Sequence, residues 1–248
     1  MIRLSVCIAT HNGERFLRPQ IESILGQIGS EDEVIIQDDS SNDKTLAMLA
    51  EFVDSRLKVE VNSRNLGVVK TIERALERSN GQFVFLADQD DVWLPGRVDR
   101  ALELHKQYDL VVVNCRVVDG DLNPMSDDFF AYQRSGAGIV KNLYRNTFLG
   151  CCMSFHRTIL KDALPFPHPI PMHDMWIGLV ASLSGRVLFC DEKFVLYRRH
   201  SDALSSAATG APARPFMKML RDRWQLITGL IKRYSGKVFG RRIAKAAR

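Results

Sequence analysis

With 248 residues, 46% of them hydrophobic and 25% charged, the chain is long enough to bury a full core and too apolar to be disordered. Its formal charge of +5 is carried unevenly: from Arg214 to Arg248 many Lys and Arg residues stand with a single acid, Asp222. No stretch approaches the roughly 18 apolar residues that cross a bilayer, no signal-peptide core follows Met1, and five cysteines without a C-x-x-C pair argue against a zinc site or a disulfide framework.

Residues 4–9 form a short apolar, β-rich run that ends in the turn cluster Thr10-His11-Asn12-Gly13. Phe16, Leu17, Ile21, Ile24, Leu25 and Ile28 then recur at helical spacing, and Gly29-Ser30 stops that helix. A second strand over 34–37 ends in Asp38-Asp39-Ser40-Ser41-Asn42-Asp43, where Asn42 or Asp43 can cap a helix that turns Leu46, Leu49 and Phe52 inward. A third strand covers 57–61, a polar loop 62–67 and a helix 68–78. The fourth strand, Phe83-Val84-Phe85-Leu86-Ala87, stops abruptly at Asp88-Gln89-Asp90-Asp91. Three carboxylates in four residues repel one another, and a cation would gather them. Oxygen ligands of this kind suit Mg²⁺ or Mn²⁺; a solvated acidic loop is the plain alternative.

This β-α alternation with short links predicts an α/β fold with an open, mostly parallel sheet. Right-handed crossovers put every β→α loop on one edge, and ligands bind outside the carboxyl ends of the strands. The clusters at 10–13, 38–43 and 88–91 all fall at such ends, which turns a weak motif into a site. No G-x-G-x-x-G follows the first strand and no P-loop occurs, which disfavours dinucleotide and P-loop ATPase folds.

The second half is less regular. A helix is expected over 94–108 with Pro95 in its first turn, then strands over 110–114 and 148–155. Residues 119–138, rich in Asp, Gly and Ser, read as a mobile loop over the site. Four prolines between 165 and 171 forbid regular structure there. His173-Asp174 precedes an apolar helix over 175–184, and strands follow at 187–190 and 194–197. Residues 203–213 read as a small-residue linker, and 216–248 as one or two basic amphipathic helices. Cys7, Cys115, Cys151, Cys152 and Cys190 sit mostly in apolar runs and read as reduced core thiols of a cytosolic protein.

Five ordered motifs carry a family likeness: Ser5-Val6-Cys7-Ile8-Ala9-Thr10-His11-Asn12, Gln37-Asp38-Asp39 through Thr45, Asn65-x-Gly67, Asp88-Gln89-Asp90-Asp91-x-Trp93-x-Pro95, and the later pair His173-Asp174-x-Trp176 with Tyr197-Arg198-Arg199-His200. Over residues 4–202 this order resembles glycosyltransferase family 2, inverting enzymes of the GT-A fold, and within it the bacterial rhamnosyltransferase-like branch. The resemblance implies a GT-A catalytic domain over 1–202, with a nucleotide-sugar half (1–110) and an acceptor half (111–202), followed by a tail at 203–248.

It also implies roles. Asp39 resembles the carboxylate that accepts the N3–H of a uracil or thymine ring, a match for acceptor-only oxygens; a helix-capping turn is its other reading. Thr10, His11 and Asn12 would lie along the nucleotide, although relatives commonly have Tyr at the position of His11 and Gly at that of Ser40. Arg64 would reach the base or diphosphate. Asp90 would hold the cation, with Asp88 on the donor sugar or the metal and His200 as a further ligand. Arg198 and Arg199 read as phosphate contacts or solvated charges. Asp174 resembles the catalytic base, or caps its helix; His173 and Trp176 would shape the acceptor pocket.

The resulting expectation is a metal-dependent enzyme with Mg²⁺ or Mn²⁺, moving rhamnose from dTDP-rhamnose, or a hexose from a UDP-sugar, to a saccharide or lipid-linked acceptor in bacterial surface-polysaccharide synthesis. Nucleic acid is not an expected partner. The 214–248 tail is expected at an anionic membrane surface, on its own catalytic domain, or between two subunits of a homodimer. A sugar nucleotidyltransferase and a non-catalytic nucleotide- or saccharide-binding module are the alternatives; the first needs a Gly-rich basic loop after the first strand, and Thr10-His11-Asn12-Gly13 is not one.

Overall fold

The computed structural model describes residues 2–200 and 216–246, with the side chains of the last helix described from 217 to 235. The elements are β1 (Leu4–Thr10), α1 (Leu17–Leu25), β2 (Glu33–Asp38), α2 (Thr45–Ala50), β3 (Leu57–Val61), α3 (Val68–Arg78), β4 (Phe83–Ala87), β5 (Val92–Trp93), α4 (Arg97–Leu104), β6 (Leu110–Val118), β7 (Pro124–Ser126), α5 (Phe129–Gln133), α6 (Ile139–Tyr144), β8 (Met153–His156), α7 (Leu160–Ala163), α8 (His173–Ser184), β9 (Val187–Arg198) and α9 (Phe216–Ala246). The expected linker over 203–213 lies outside the described residues.

The nine strands of the described residues form one sheet in the order β3-β2-β1-β4-β8-β6-β9-β5, with β7 on β6. β3, β2, β1 and β4 are parallel, as the alternation requires. The chain steps outward twice, β1 to β2 to β3, and α3 then carries it back over β1 to β4. A right-handed return puts α3 on the face opposite α1 and α2. Beyond β4 the sheet is mixed: β8 runs antiparallel to both β4 and β6, while β6 and β9 are parallel. The carboxyl ends of β1, β2, β4, β6 and β9 therefore share one edge, although β9 lies far from β1 in sequence. Strand side chains are buried on both faces over β1, β2 and β6, where Val, Ile, Leu and Cys dominate.

Several boundaries differ from expectation. The 94–108 helix begins only at Arg97, because Pro95 is followed by Gly96 in the left-handed region (φ 86°), and Val92–Trp93 instead pairs with β9. The strand expected at 148–155 is shortened by a 3-10 turn at Gly150–Cys152. Two strands expected at 187–190 and 194–197 are one, kept continuous by register shifts opposite Asn114. Residues 119–138 are no structureless loop: β7 pairs with β6, and Asp128 caps α5 by accepting from Ala131 N–H (2.9 Å). Lys44, not Asn42 or Asp43, occupies the N-cap of α2, with Asp43 accepting from Thr45 N–H (2.9 Å) just outside it. All five cysteines are buried free thiols.

Candidate active site

The first polar cluster is built around Asp39. Its N–H donates to the Thr10 carbonyl (2.7 Å), which ties the end of β2 to the end of β1. Its carboxylate, only 4% exposed, accepts from Asn62 Nδ2 and Leu66 N–H on Oδ1 and from Gly67 N–H on Oδ2, each at 2.8 Å. Gly67 adopts φ 81°, which presents that N–H and starts α3. Burial alone would raise this carboxyl; the donors from Leu66, Asn62 and Gly67 outweigh it and hold it below the usual range. Oδ1 is saturated by two donors, whereas Oδ2 keeps a lone pair for a further N–H. Asp39 therefore does not cap α2; it fixes the 62–67 loop. Asp39→Ala is expected to cost roughly 2–4 kcal/mol in urea unfolding, because three donors lose one acceptor. A group with a depressed folded pKa stabilises above its unfolded value. The Asp39 contribution is thus full at neutral pH and fades as pH falls through the folded value, so the variant should lose acid sensitivity as well as stability.

His11, Asn12 and Thr10 complete this edge. A carbonyl can only accept, so the 2.9 Å contact between His11 Nδ1 and the Asp39 carbonyl places the proton on Nδ1 and leaves Nε2 facing the amides of Asn12 and Asn65. The ring is pinned yet exposed above the Asp39 turn. Asn12 accepts from Asn42 N–H (2.9 Å), and Ser40 takes the left-handed conformation (φ 62°) that glycine adopts at least cost. Arg64 is exposed on the loop that Asp39 holds.

The acidic stretch divides by side. Asp90 Oδ2 lies 2.9 Å from His200 Nε2, across 110 positions of sequence. Arg198 donates from Nε to the Asp90 carbonyl (2.6 Å) and from its backbone N–H to Asp91 Oδ1 (2.9 Å), so the end of β9 lies directly on this loop. Phe16 holds it from below, 4.7 Å from the His200 ring and 4.6 Å from the Arg198 guanidinium carbon. Asp91 turns inward and is wholly buried; Oδ2 has no hydrogen-bond partner, and burial with the Asp90 and Asp88 charges drives this carboxyl well above its usual range. Burial, then the Asp90 and Asp174 carboxylates, push Asp88 up to about 8. Asp174 thus acts on Asp88 from another part of the chain.

The donor types here suit a divalent ion. Asp88, Asp90 and His200 supply oxygen and nitrogen donors suited to Mg²⁺ or Mn²⁺. The hydrogen bonds of the Arg198 guanidinium go to the carbonyls of Asp90 and Gly120. Asp88, Asp91 and Cys151 also bring donor atoms within 4.8 Å of one another. Burial raises the Cys151 thiol, and a protonated thiol is a poor ligand.

Asp174 opens α8. Met172 is the N-cap, which corrects the capping alternative: Asp174 is the second helical residue, with its carboxylate at the positive end of the helix. It is 9% exposed and lies against Gly150, where a Cβ would stand 3.5 Å from Asp174 Cβ and 3.2 Å from His173 Nε2. His173, beside it, is kept neutral by burial, which lowers it to about 4, and its Nδ1 has no hydrogen-bond partner. Trp176 departs from expectation. It is fully buried, its indole N–H donates to the Ala163 carbonyl (2.9 Å), and α9 covers its ring at Gly229. With no open face it cannot stack on an acceptor sugar; it is core.

The profile of glycosyl transferase family 2 matches residues 5–164, which carry Asp39 and the acidic cluster. The chain belongs to glycosyl transferase family 2. Among characterised proteins it is 22% identical over 240 residues to the Escherichia coli UDP-Glc:alpha-D-GlcNAc-diphosphoundecaprenol beta-1,3-glucosyltransferase WfgD, covering 95% of this chain and 89% of WfgD. It is 31% identical over 123 residues to the putative glycosyltransferase EpsE of Bacillus subtilis (strain 168), covering 47% of this chain and 44% of EpsE. Among solved structures, S. aureus TarS 1-349 in complex with UDP-GlcNAc superposes with a TM-score of 0.68 at 20% identity, over 94% of this chain and 72% of that one. The mannosyltransferase PcManGT of Pyrobaculum calidifontis, in complex with GDP-Man and Mn²⁺, gives 0.61 at 17% identity, over 95% and 64%. These likenesses establish the GT-A fold.

Sequence reasoning missed three residues that hold this candidate site together. Gln89 Oε1 accepts from Thr10 Oγ1 (2.6 Å) and His11 N–H (2.9 Å), and Nε2 donates to the His11 carbonyl (3.2 Å), clamping the β4 loop to the β1 loop. Gln20, buried on α1, donates to the Asp88 carbonyl (3.0 Å). Arg97, buried on α4, stacks over Trp93 at 4.0 Å and donates to the Cys151 carbonyl (2.6 Å). A buried-strand motif with a polar residue between two acids is the only signal that pointed to Gln89; nothing in the local pattern marks the other two.

Proposed function

We propose that this glycosyltransferase inverts the anomeric centre while moving a hexose from a UDP-sugar to a saccharide on a lipid-linked acceptor in bacterial surface-polysaccharide assembly. The observation that supports this reading is convergence: the Asp39 and Asp88–Asp90 motifs end parallel strands on one sheet edge, and Asp174 lies against Gly150, next in sequence to Cys151, whose sulfur is within 4.8 Å of an Asp88 carboxylate oxygen. In this reading residues 1–110 hold the donor and 111–202 the acceptor. Asp39 Oδ2 takes the pyrimidine N3–H, the pinned His11 ring lies on the base, and Thr10, Asn12 and Arg64 line the nucleotide. Asp88, Asp90 and His200 would hold Mg²⁺ or Mn²⁺, which would supply positive charge to offset that on the departing diphosphate. Asp174 accepts the proton of the attacking hydroxyl from the face opposite the leaving group. Neutral His173 flanks that hydroxyl.

The UDP-sugars printed in the names of WfgD and the TarS complex support uridine. Rhamnose from dTDP-rhamnose is the second reading, favoured by the His173-Asp174 and 197–200 motifs; thymine offers the same N3–H to Asp39. A thermal-shift screen of UDP, dTDP, GDP and their sugars, with and without Mn²⁺, tests both. A ligand at about 100 times its Kd stabilises by about 2.7 kcal/mol, so the true donor should stand out by several degrees and GDP should not. The largest shift with dTDP-rhamnose would select rhamnose. Pyrophosphate release from a nucleoside triphosphate and a sugar phosphate would replace the reading by a nucleotidyltransferase.

A further inference from the structure

The last helix has two apolar faces, and the domain uses only one. Leu226, Gly229 and Leu230 are buried toward the domain, where a Cβ on Gly229 would meet Pro167 at 3.0 Å and Trp176 at 3.2 Å. Arg233 donates to the Leu164 carbonyl (2.7 Å), and Arg223 reaches Met175 Sδ (3.5 Å) and the Tyr144 carbonyl (3.4 Å). The opposite side carries Met217, Leu220, Trp224, Ile227 and Ile231 at steps of three and four, with Trp224 68% exposed and Ile231 60% exposed. Val140 and Tyr144 of α6, whose Tyr144 carbonyl accepts from Arg223, are also exposed. No helix among the described residues is long and apolar enough to cross a membrane.

Charge bears on what could cover the stripe. The whole chain has 34 Lys and Arg against 29 Asp and Glu, yet residues 214–248 hold eleven of the former and one of the latter. The remainder of the protein is therefore net acidic, and nine of these eleven basic residues fall within α9, the element that bears the stripe. Exposed Lys218, Arg221 and Lys232 border it directly. Pairing two tails would bring two strongly basic helices together, which like-charge repulsion opposes. We propose that the outward stripe of α9 docks on an anionic lipid surface, with the helix axis in the plane of the headgroups and Trp224 at the interface. Because Arg223 touches Met175, the docked helix sets the first turn of α8, and with it Asp174, near the bilayer; that consequence rests on the reading of the acceptor as lipid-linked.

The test is co-sedimentation of the full chain with vesicles of equimolar phosphatidylglycerol and phosphatidylcholine, alongside pure phosphatidylcholine. Binding is expected only to the anionic vesicles, with a blue shift in fluorescence from Trp224, since Trp93 and Trp176 are already buried. Trp224→Ser with Ile231→Ser should weaken partitioning about tenfold or more, as should Lys218→Glu with Arg221→Glu and Lys232→Glu. Both variants should keep the wild-type melting temperature and UDP-induced shift. Unchanged partitioning of the apolar double variant would overturn the proposal. So would a wild-type dimer in light scattering that this variant converts to monomer. Vesicle binding without any nucleotide-induced shift would sink the donor reading and leave the docking surface standing.

Discussion

Asp174→Asn should lower kcat by about 10³-fold while the donor Kd, measured by calorimetry with UDP and Mn²⁺, changes little. The expectation follows from position. Asp174 lies in the first turn of α8, and Asn keeps its volume and can still accept from the Met175 N–H (2.5 Å). The variant therefore keeps this hydrogen bond and loses basicity. General-base contributions of about 10²–10⁴ are typical, and an amide has no capacity to take the hydroxyl proton. kcat/KM should fall with kcat, because the missing interaction belongs to the transition state. A collapse of donor affinity or of melting temperature instead would make Asp174 a structural counterpart of Asp88 rather than the base.

Asp90→Asn should abolish the Mn²⁺-dependent part of UDP binding and reduce turnover by about 10²–10³-fold, the scale for loss of one preorganised group that stabilises developing charge. Asp90 is the cluster carboxylate that meets His200, at 2.9 Å, whereas Asp91 is turned into the core. Asn preserves the loop, because the Arg198 bond goes to the Asp90 carbonyl and is independent of the side chain. His200→Asn should weaken Mn²⁺ affinity by a smaller factor, as the loss of one neutral donor from a set anchored by carboxylates. Full turnover of the wild type in excess chelator would remove the cation from the mechanism. An Asp91→Asn variant more impaired in Mn²⁺ binding than Asp90→Asn would move the metal to the inner trio with Cys151.

The α/β class, the first four strands and the edge on which the clusters meet were legible because each rests on local chemistry. Apolar runs of five or six residues, helical spacing between them, and polar turns after each strand are written in adjacent positions. Parallel pairing then leaves little freedom, since right-handed crossovers put all the turns on one side. Beyond Ala87 local pattern lost its hold. Val92–Trp93 pairs with β9 from about 100 positions away, and β8 enters antiparallel between β4 and β6. Periodicity gives a strand but neither its direction nor its neighbour.

By itself the sequence determined which side chains carry charge at the strand ends, and so that a site would form there. Tertiary structure alone decided how those charges are shared: Asp90 outward to His200, Asp91 inward to the Arg198 backbone, and Asp39 bound to the 62–67 loop. It also decided that Trp176 is core and that α9 turns Leu226 and Leu230 inward and Trp224 outward. The reason is burial. A helix whose apolar residues recur on two sides offers two faces, and only the shape of the domain it meets selects the one removed from water.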